Sequence, residues 1–401
     1  MRYDFDTVID RHDTFSTKWA FPERFLPSDA LSADLLPMWI ADMDFRTAPE
    51  VIAALHEAAD FGVFGYASPT RSYMEAVVDW QWRRFGWRVD PDWILQTPGV
   101  VPGLALVVQT FTEPDDKVLI QTPVYGPFHL VPERGGRQWV EAPLVFQDGT
   151  YRFDPDILES SIKRHRPKLF ILCNPHNPTG NVWSRADLTA MNEICSRHGV
   201  LVVADEIHED LIFDRGLKHI PFASLDKDSA RNCIVCTAPS KTFNLAGLQV
   251  SNLFVPNAEL REKLRKQIQR YSISVNQLGL VACEAAYRHG EPWLETLLDY
   301  IGANHALLAD AVDTQLTPIR AVRTGALYLA WLDCRELSTD SAALSEMFLR
   351  EGRLWLDSGI KFGAAGAGFM RINLGCPRGT LEEAIRRLAK AIESKDRRGA
   401  A

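Results

Sequence analysis

The sequence predicts an α/β protein with a mostly parallel central sheet flanked by helices and a smaller α+β unit attached. Three observations carry this. Strand-like and helix-like runs alternate through the middle of the chain. The strand-like runs are continuously apolar, as in a sheet buried on both faces. Polar residues gather where those runs end, which is where open α/β sheets bind ligands.

Taken in order, residues 1–45 are rich in proline and aromatics and read as an extended arm with a few short elements, forming part of the smaller unit. "TPGVVPGLALVV" (97–108) reads as a loop entering a helix, whose first N–H groups offer an anion site. "KVLIQTP" and "KLFILCNP" are strands, "ADLTAMNEICSRHG" is a helix, and "VLVVADEIH", "NCIVCTAPSK" and "VSNLFV" supply three more strands. A large domain is therefore expected over 46–285. After it, helical "PWLETLLDYIGANHALLADAV", strand-like "GALYLAWLD", helical "SAALSEMFLREG" and a last strand–helix pair make a C-terminal small domain over 286–401. "GAAGAG" (363–368) does not fit the GxGxxG pattern and reads as a loop. The tail "ESKDRRGAA" is polar and expected to fray.

Composition narrows the function classes. A net charge of −8 argues against nucleic acid or an anionic membrane surface as the main partner. The N-terminus lacks a signal-peptide core, and no stretch approaches the roughly 20 apolar residues of a membrane helix. Seven cysteines form no disulfide framework and fit a reducing compartment, so the expected location is cytoplasmic. Cys233 and Cys236 have CxxC spacing but sit in an apolar run with no second pair, which favours packing over metal or redox work.

Three polar clusters at strand ends supply an amide, an acid and an amine: Asn177 in "LCNPHNPTG", Asp205 in "VVADEIHED" and Lys241 in "CTAPSKT". These meet the needs of a pyridoxal phosphate site. The aldehyde requires a lysine, the ring nitrogen a carboxylate, and the phenolate oxygen a nearby donor. Read from the residues alone, Asp205 also fits a helix N-cap and Asn177 a turn. Tyr125 fits a core position, and Arg371, flanked by apolar residues, fits a structural salt bridge or an anion anchor. A metal site from Asp205, His208 and Asp210 lacks HxH or HExxH spacing, so none is assigned.

The chain resembles the fold-type I pyridoxal phosphate enzymes of the class I and II aminotransferase group. The resemblance is carried in order by "NPHNPTG" (174–180), "DEIHED" (205–210), "SKTFNLAGL" (240–248) and "MRINLGCPR" (370–378). Within that group "PMWIADMDF" (37–45), "GVFGY" (62–66) and "HGEPWL" (289–294) resemble the bacterial cystathionine β-lyase, or carbon–sulfur lyase, branch of MalY/PatB type.

The resemblance implies pyridoxal 5′-phosphate as cofactor, with Lys241 as the Schiff-base lysine and acid–base group, and Asp205 on the ring nitrogen. It implies Asn177 and His208 at the phenolate oxygen, His208 standing where many aminotransferases carry tyrosine. By the same resemblance Tyr125 is expected to stack on the ring, the amides of Val100 and Val101 to hold the phosphate, and Arg371 to pair with the substrate α-carboxylate. Tyr66 matches a tyrosine that in the family reaches the phosphate of the neighbouring subunit, so the resemblance implies a homodimer with shared active sites. Two positions depart from the aminotransferase pattern. Gln249 stands where an arginine on the phosphate is usual, and Ala238 where serine is common, leaving Thr237 and Ser240 as hydroxyl donors. The missing arginine and "WIADMDF" favour the lyase branch, a β-elimination on a small amino-acid substrate such as cystathionine. Transamination is the alternative. Some members of the branch also bind transcriptional regulators, so a regulator partner is a second alternative.

Overall fold

The computed structural model describes residues 3–32 and 34–399. Seven strands build the main sheet: β1 Ile94–Thr97, β2 Lys117–Ile120, β3 Gln138–Glu141, β4 Leu169–Cys173, β5 Leu201–Asp205, β6 Cys233–Thr237 and β7 Ser251–Phe254. Their spatial order is β1-β7-β6-β5-β4-β2-β3. Neighbours from β6 to β3 run parallel, and β7 alone is antiparallel to both of its partners. The apolar runs of β4, β5 and β6 are buried along their whole length. Alternate residues feed two separate cores: Phe170, Val202 and Val235 pack on one face, and Ile171, Val203 and Ile234 on the other. Cys233 and Cys236 fall into opposite cores. Their thiols are buried and free, and burial pushes both up, as packing residues would be.

Strands β1 and β3 escape the apolar-run reading. β1 carries Gln96 in a four-residue span. β3 lies at the sheet edge with Gln138 and Glu141 exposed, so water rather than a second core sets its composition.

A second sheet holds β8 Arg320–Ala321, β9 Leu329–Asp333, β10 Asp357–Ser358 and β11 Phe369–Asn373 in the order β8-β9-β11-β10, all antiparallel. Its own core, with Leu332, Met370 and Ile372 from the strands, is closed by Leu308, Phe348 and Leu388 from helices Glu291–Thr314, Ser341–Arg350 and Arg378–Gly399. The tail expected to fray is helical through Gly399, because Leu381, Ile385, Leu388 and Ile392 seat that helix and Lys395 Nζ reaches the Leu337 carbonyl. Ala400 and Ala401 lie outside the described residues. The "GAAGAG" segment holds one short 3₁₀ turn, Ala364–Gly366, and follows another, Gly359–Phe362, in the connection from β10 to β11.

The arm contains two 3₁₀ turns and a strand, Leu36–Pro37, that pairs in parallel with Leu354–Trp355. From there residues 38–45 form a strap between the two sheets. Asn373 Nδ2 donates to the carbonyls of Ile40 and Asp42, both at 2.6 Å. Asn244 Nδ2 donates to the carbonyls of Met43 and Phe45, at 2.8 and 2.9 Å, and its Oδ1 accepts the Met43 N–H. Asn244 sits at φ +56, a left-handed conformation asparagine tolerates. The Asp44 carboxylate accepts from Lys18 Nζ at 2.6 Å, Arg11 Nη1 at 2.7 Å and Trp19 Nε1 at 2.8 Å. Lys18 and Asp44 are both buried, so removing Asp44 leaves the Lys18 charge without compensation, whereas removing Lys18 leaves Asp44 with Arg11.

Asn373→Ala orphans two strap carbonyls and should cost about 2–3 kcal/mol. The midpoint of urea unfolding should fall accordingly, and an unchanged midpoint would mean that the strap is held elsewhere.

Candidate active site

In the parallel register Cys173, Asp205 and Cys236 stand side by side, so the segments that follow leave the sheet at one edge. That edge carries the loop with Asn177, the carboxyl of Asp205 at the last position of β5, and the short helix Pro239–Thr242 with Lys241. Helix Val100–Phe111 points its N-terminus at the same place. Gly99 makes the turn into it at φ +110. A Cβ on Gly103 would lie 2.9 Å from Thr97 Oγ1 and 3.2 Å from Leu253, so glycine lets the helix sit close on the sheet. The first intrahelical bond is Gly103 N–H to the Gly99 carbonyl, which leaves the amides of Val100 and Val101 ahead of it.

Together these elements enclose a cavity of about 300 Å³. Of the residues expected at the site, Val100, Val101, Tyr125, Asn177, Asp205, His208, Ser240 and Lys241 all line it. A larger cavity of about 490 Å³, near Leu337, Met347 and Arg350, carries none of them.

Lys241 Nζ donates to the carbonyl of Ala41 in the strap at 2.6 Å, and the same oxygen accepts from Tyr328 Oη at 2.9 Å. Desolvation lowers the amine to about 8, against the pull of the Asp42 carboxylate and with the Arg371 charge assisting. Desolvation also raises Asp205 to about 7, moderated by the Ile207 N–H on its Oδ1 at 3.1 Å and by Lys241. Burial, with the charges of Lys241 and Arg371, holds His208 well below the usual imidazole range, and its Nδ1 has no partner. Burial pushes the Tyr125 phenol up. A neutral imidazole, a high-pKa acid and a low-pKa amine in one cavity are the environment in which protons are exchanged.

Arg371, buried in β11, does not line the cavity and is joined to it through Asn177, which does. Its Nη1 donates to Asn177 Oδ1 at 3.0 Å, and its Nη2 to the Trp39 carbonyl at 3.0 Å and to Asp357 Oδ2 at 2.8 Å. The salt bridge weighed for this arginine therefore exists, alongside its link to Asn177. Thr237 Oγ1 is buried without a partner and does not line the cavity, whereas Ser240 does. Tyr66 is fully exposed and belongs to no part of its own chain's cavity. Asp210 is turned away, toward Arg84, Trp80 and Thr242. Among the described residues, the carboxyl–imidazole group with metal-like spacing is Glu206, Glu209 and His219 instead. There Glu206 is already engaged by His219 and the Phe222 N–H.

Sequence reading missed Ala41, Cys173, Tyr328 and Asp357. Ala41 acts through its carbonyl, which its residue type does not announce, although "PMWIADMDF" marked the segment. Cys173 lines the cavity with its Sγ 3.4 Å from the Asn177 N–H. Tyr328 looked like one more apolar strand residue.

Parallel strands delivering a desolvated lysine, an acid and an amide to one edge, with an arginine arriving from a second sheet, define an α/β enzyme built for carbonyl–amine chemistry. The chain belongs to the aminotransferase class I and II family, whose model matches residues 33–388. It is 43% identical to the cystathionine beta-lyase PatB of Bacillus subtilis, over 97% of this chain and 100% of that protein. It is 32% identical to the protein MalY of Escherichia coli, over 98% and 99%. The crystal structure of cystalysin from Treponema denticola, which contains a pyridoxal 5′-phosphate cofactor, matches with a TM-score of 0.94 at 36% identity, over 98% and 100%.

Without a cationic ligand beside it, Asp205 keeps its proton up to about pH 7, while the unfolded chain gives it up near 3.8. The cofactor-free protein should therefore lose roughly 4 kcal/mol of stability as pH rises from about 4 to about 7. Asp205→Asn should remove that part of the pH dependence. Equal slopes for the two proteins in urea unfolding at pH 5 and 7.5 would contradict it.

Proposed function

We propose that this chain is a pyridoxal 5′-phosphate-dependent carbon–sulfur β-lyase that splits cystathionine or a related cysteine S-conjugate into a thiol, pyruvate and ammonia. The observation that carries the reading is the desolvated Lys241 amine sharing one cavity with Asp205 and Asn177, in a chain so similar to a cystathionine beta-lyase.

The donor set suits the cofactor. An acid with a pKa near 7 complements a ring nitrogen that carries a proton, and Lys241 offers its amine to the aldehyde. The amides of Val100 and Val101 and the Ser240 hydroxyl suit the phosphate. Tyr125 offers its ring, and Asn177 and His208 are suited to the phenolate oxygen. When bound, the group supplies an electron-accepting ring that stabilises negative charge at the substrate Cα.

The rest falls to the chain's own side chains. Arg371, steered by its bond to Asn177, takes the α-carboxylate. Lys241 Nζ, neutral in a large fraction near its pKa of about 8, removes the Cα proton. The Cβ–S bond breaks with its electron pair leaving on sulfur, and a thiol pKa of about 8.5 makes that departure far easier than loss of an alkoxide. The 2-aminoacrylate left behind hydrolyses to pyruvate and ammonia. Gln249, which lines the cavity where transaminases of the group usually carry arginine, supports the lyase reading.

The reading includes a homodimer in the cytosol. Phe61, Val63, Phe64 and Tyr66 are all exposed on one short stretch, an apolar run that a second copy would cover while receiving Tyr66 at its site. Seven free cysteines suit a reducing compartment. Among the described residues no helix is long and apolar enough to cross a membrane.

Purified protein should show a visible absorbance band that borohydride abolishes, and should release pyruvate from cystathionine without any added keto acid. Lys241→Ala should lower that rate by about three orders of magnitude or more. Strict dependence on a keto acid would replace this reading with transamination. Light scattering should give twice the mass of one chain, and a monomeric mass would refute the shared site.

A further inference from the structure

Arg371 and Asp357 are direct cross-strand partners of β11 and β10, so their contact is set by backbone register. Three of the five guanidinium hydrogens are engaged, including both on Nη2. Nη2 uses one hydrogen on the Trp39 carbonyl and the other on Asp357 Oδ2, and Nη1 uses one on Asn177 Oδ1. Nε is buried without a partner. An arginine grips a carboxylate with two parallel bonds along either its Nε/Nη2 edge or its Nη1/Nη2 fork, and both include Nη2. An incoming carboxylate therefore gains a bidentate seat only if Nη2 gives up an acceptor. The Trp39 carbonyl is backbone within the hydrogen-bonded strap. Asp357 is a side chain, and its other oxygen already meets Lys361 Nζ at 2.9 Å, where the lysine side chain is 56% exposed.

We propose that Asp357 is a built-in competitor of the substrate carboxylate: it occupies Arg371 in the free enzyme and is handed to Lys361 when an α-amino acid binds. Asp357 is a positioning residue in this scheme, and Lys361 receives it. The exchange keeps Arg371 paired when the site is empty and sets how tightly any α-carboxylate is held. It rests on the reading of Arg371 as the α-carboxylate anchor.

The test titrates 2-methylalanine, which has an α-carboxylate but neither a Cα proton nor a leaving group, into the holoenzyme and follows the visible cofactor band. The readout is binding alone, so it stands whether or not the enzyme proves to be a lyase, and an absent band would indict the cofactor reading instead. Asp357→Asn should tighten binding about five-fold, because a like charge is removed from beside the incoming anion. Lys361→Met, at an exposed position, should weaken binding about three-fold in the wild-type background and not at all in Asp357→Asn, a non-additivity expected of groups acting through one another. Weaker or unchanged binding in Asp357→Asn overturns the proposal, because a purely structural brace would give that sign. Equal weakening by Lys361→Met in both backgrounds overturns it too, because that would mean direct contact between Lys361 and the ligand.

Discussion

The structure depends above all on keeping the Lys241 amine out of bulk water without giving it an ion-pair partner. Moving a lysine from 10.5 to about 8 corresponds to roughly 3 kcal/mol against the charged form. The fold meets that cost with one dipole rather than a charge, the Ala41 carbonyl that Tyr328 also holds. A carboxylate in that position would restore the ordinary pKa and with it a permanently protonated, non-nucleophilic amine.

This constraint explains why the strap is so heavily tied. Its carbonyl must stay fixed, and the anchors come from opposite parts of the chain. Asn244 belongs to the segment just after Lys241, Asn373 lies two residues beyond Arg371, and Arg11, Lys18 and Trp19 come from the arm. The strap thereby links the lysine that acts on a substrate to the arginine that orients it. A shift of one sheet against the other moves both through the same eight residues.

Buried ionisable groups accumulate along the C-terminal edge of the sheet. Just behind Asp205 and His208 lies a second layer. Glu209 is driven well up by burial and by the charges of Asp210 and Glu206, Asp210 leans on Arg84, and Glu206 holds His219. Such a layer costs stability that apolar residues would supply. Function and stability pull in opposite directions at this edge, and the two large cores on either sheet face carry the difference.

The chain by itself determined the parallel strands, because residues buried on both faces must be apolar throughout. It also determined which polar residues follow them, because a strand end is the first place where the chain can change character. Lys241, Asp205 and Asn177 were legible on that account. Strand β3 was not, since an edge strand answers partly to water. The tertiary structure alone decided that Ala41 faces Lys241, that Asp357 lies across from Arg371 and that Tyr328 shares the strap carbonyl. These contacts join residues 200, 14 and 287 positions apart. They use a backbone oxygen, a cross-strand register and a phenol in an apolar run, none of which leaves a local pattern, so only strand pairing in the second sheet and the course of the strap between the sheets select them.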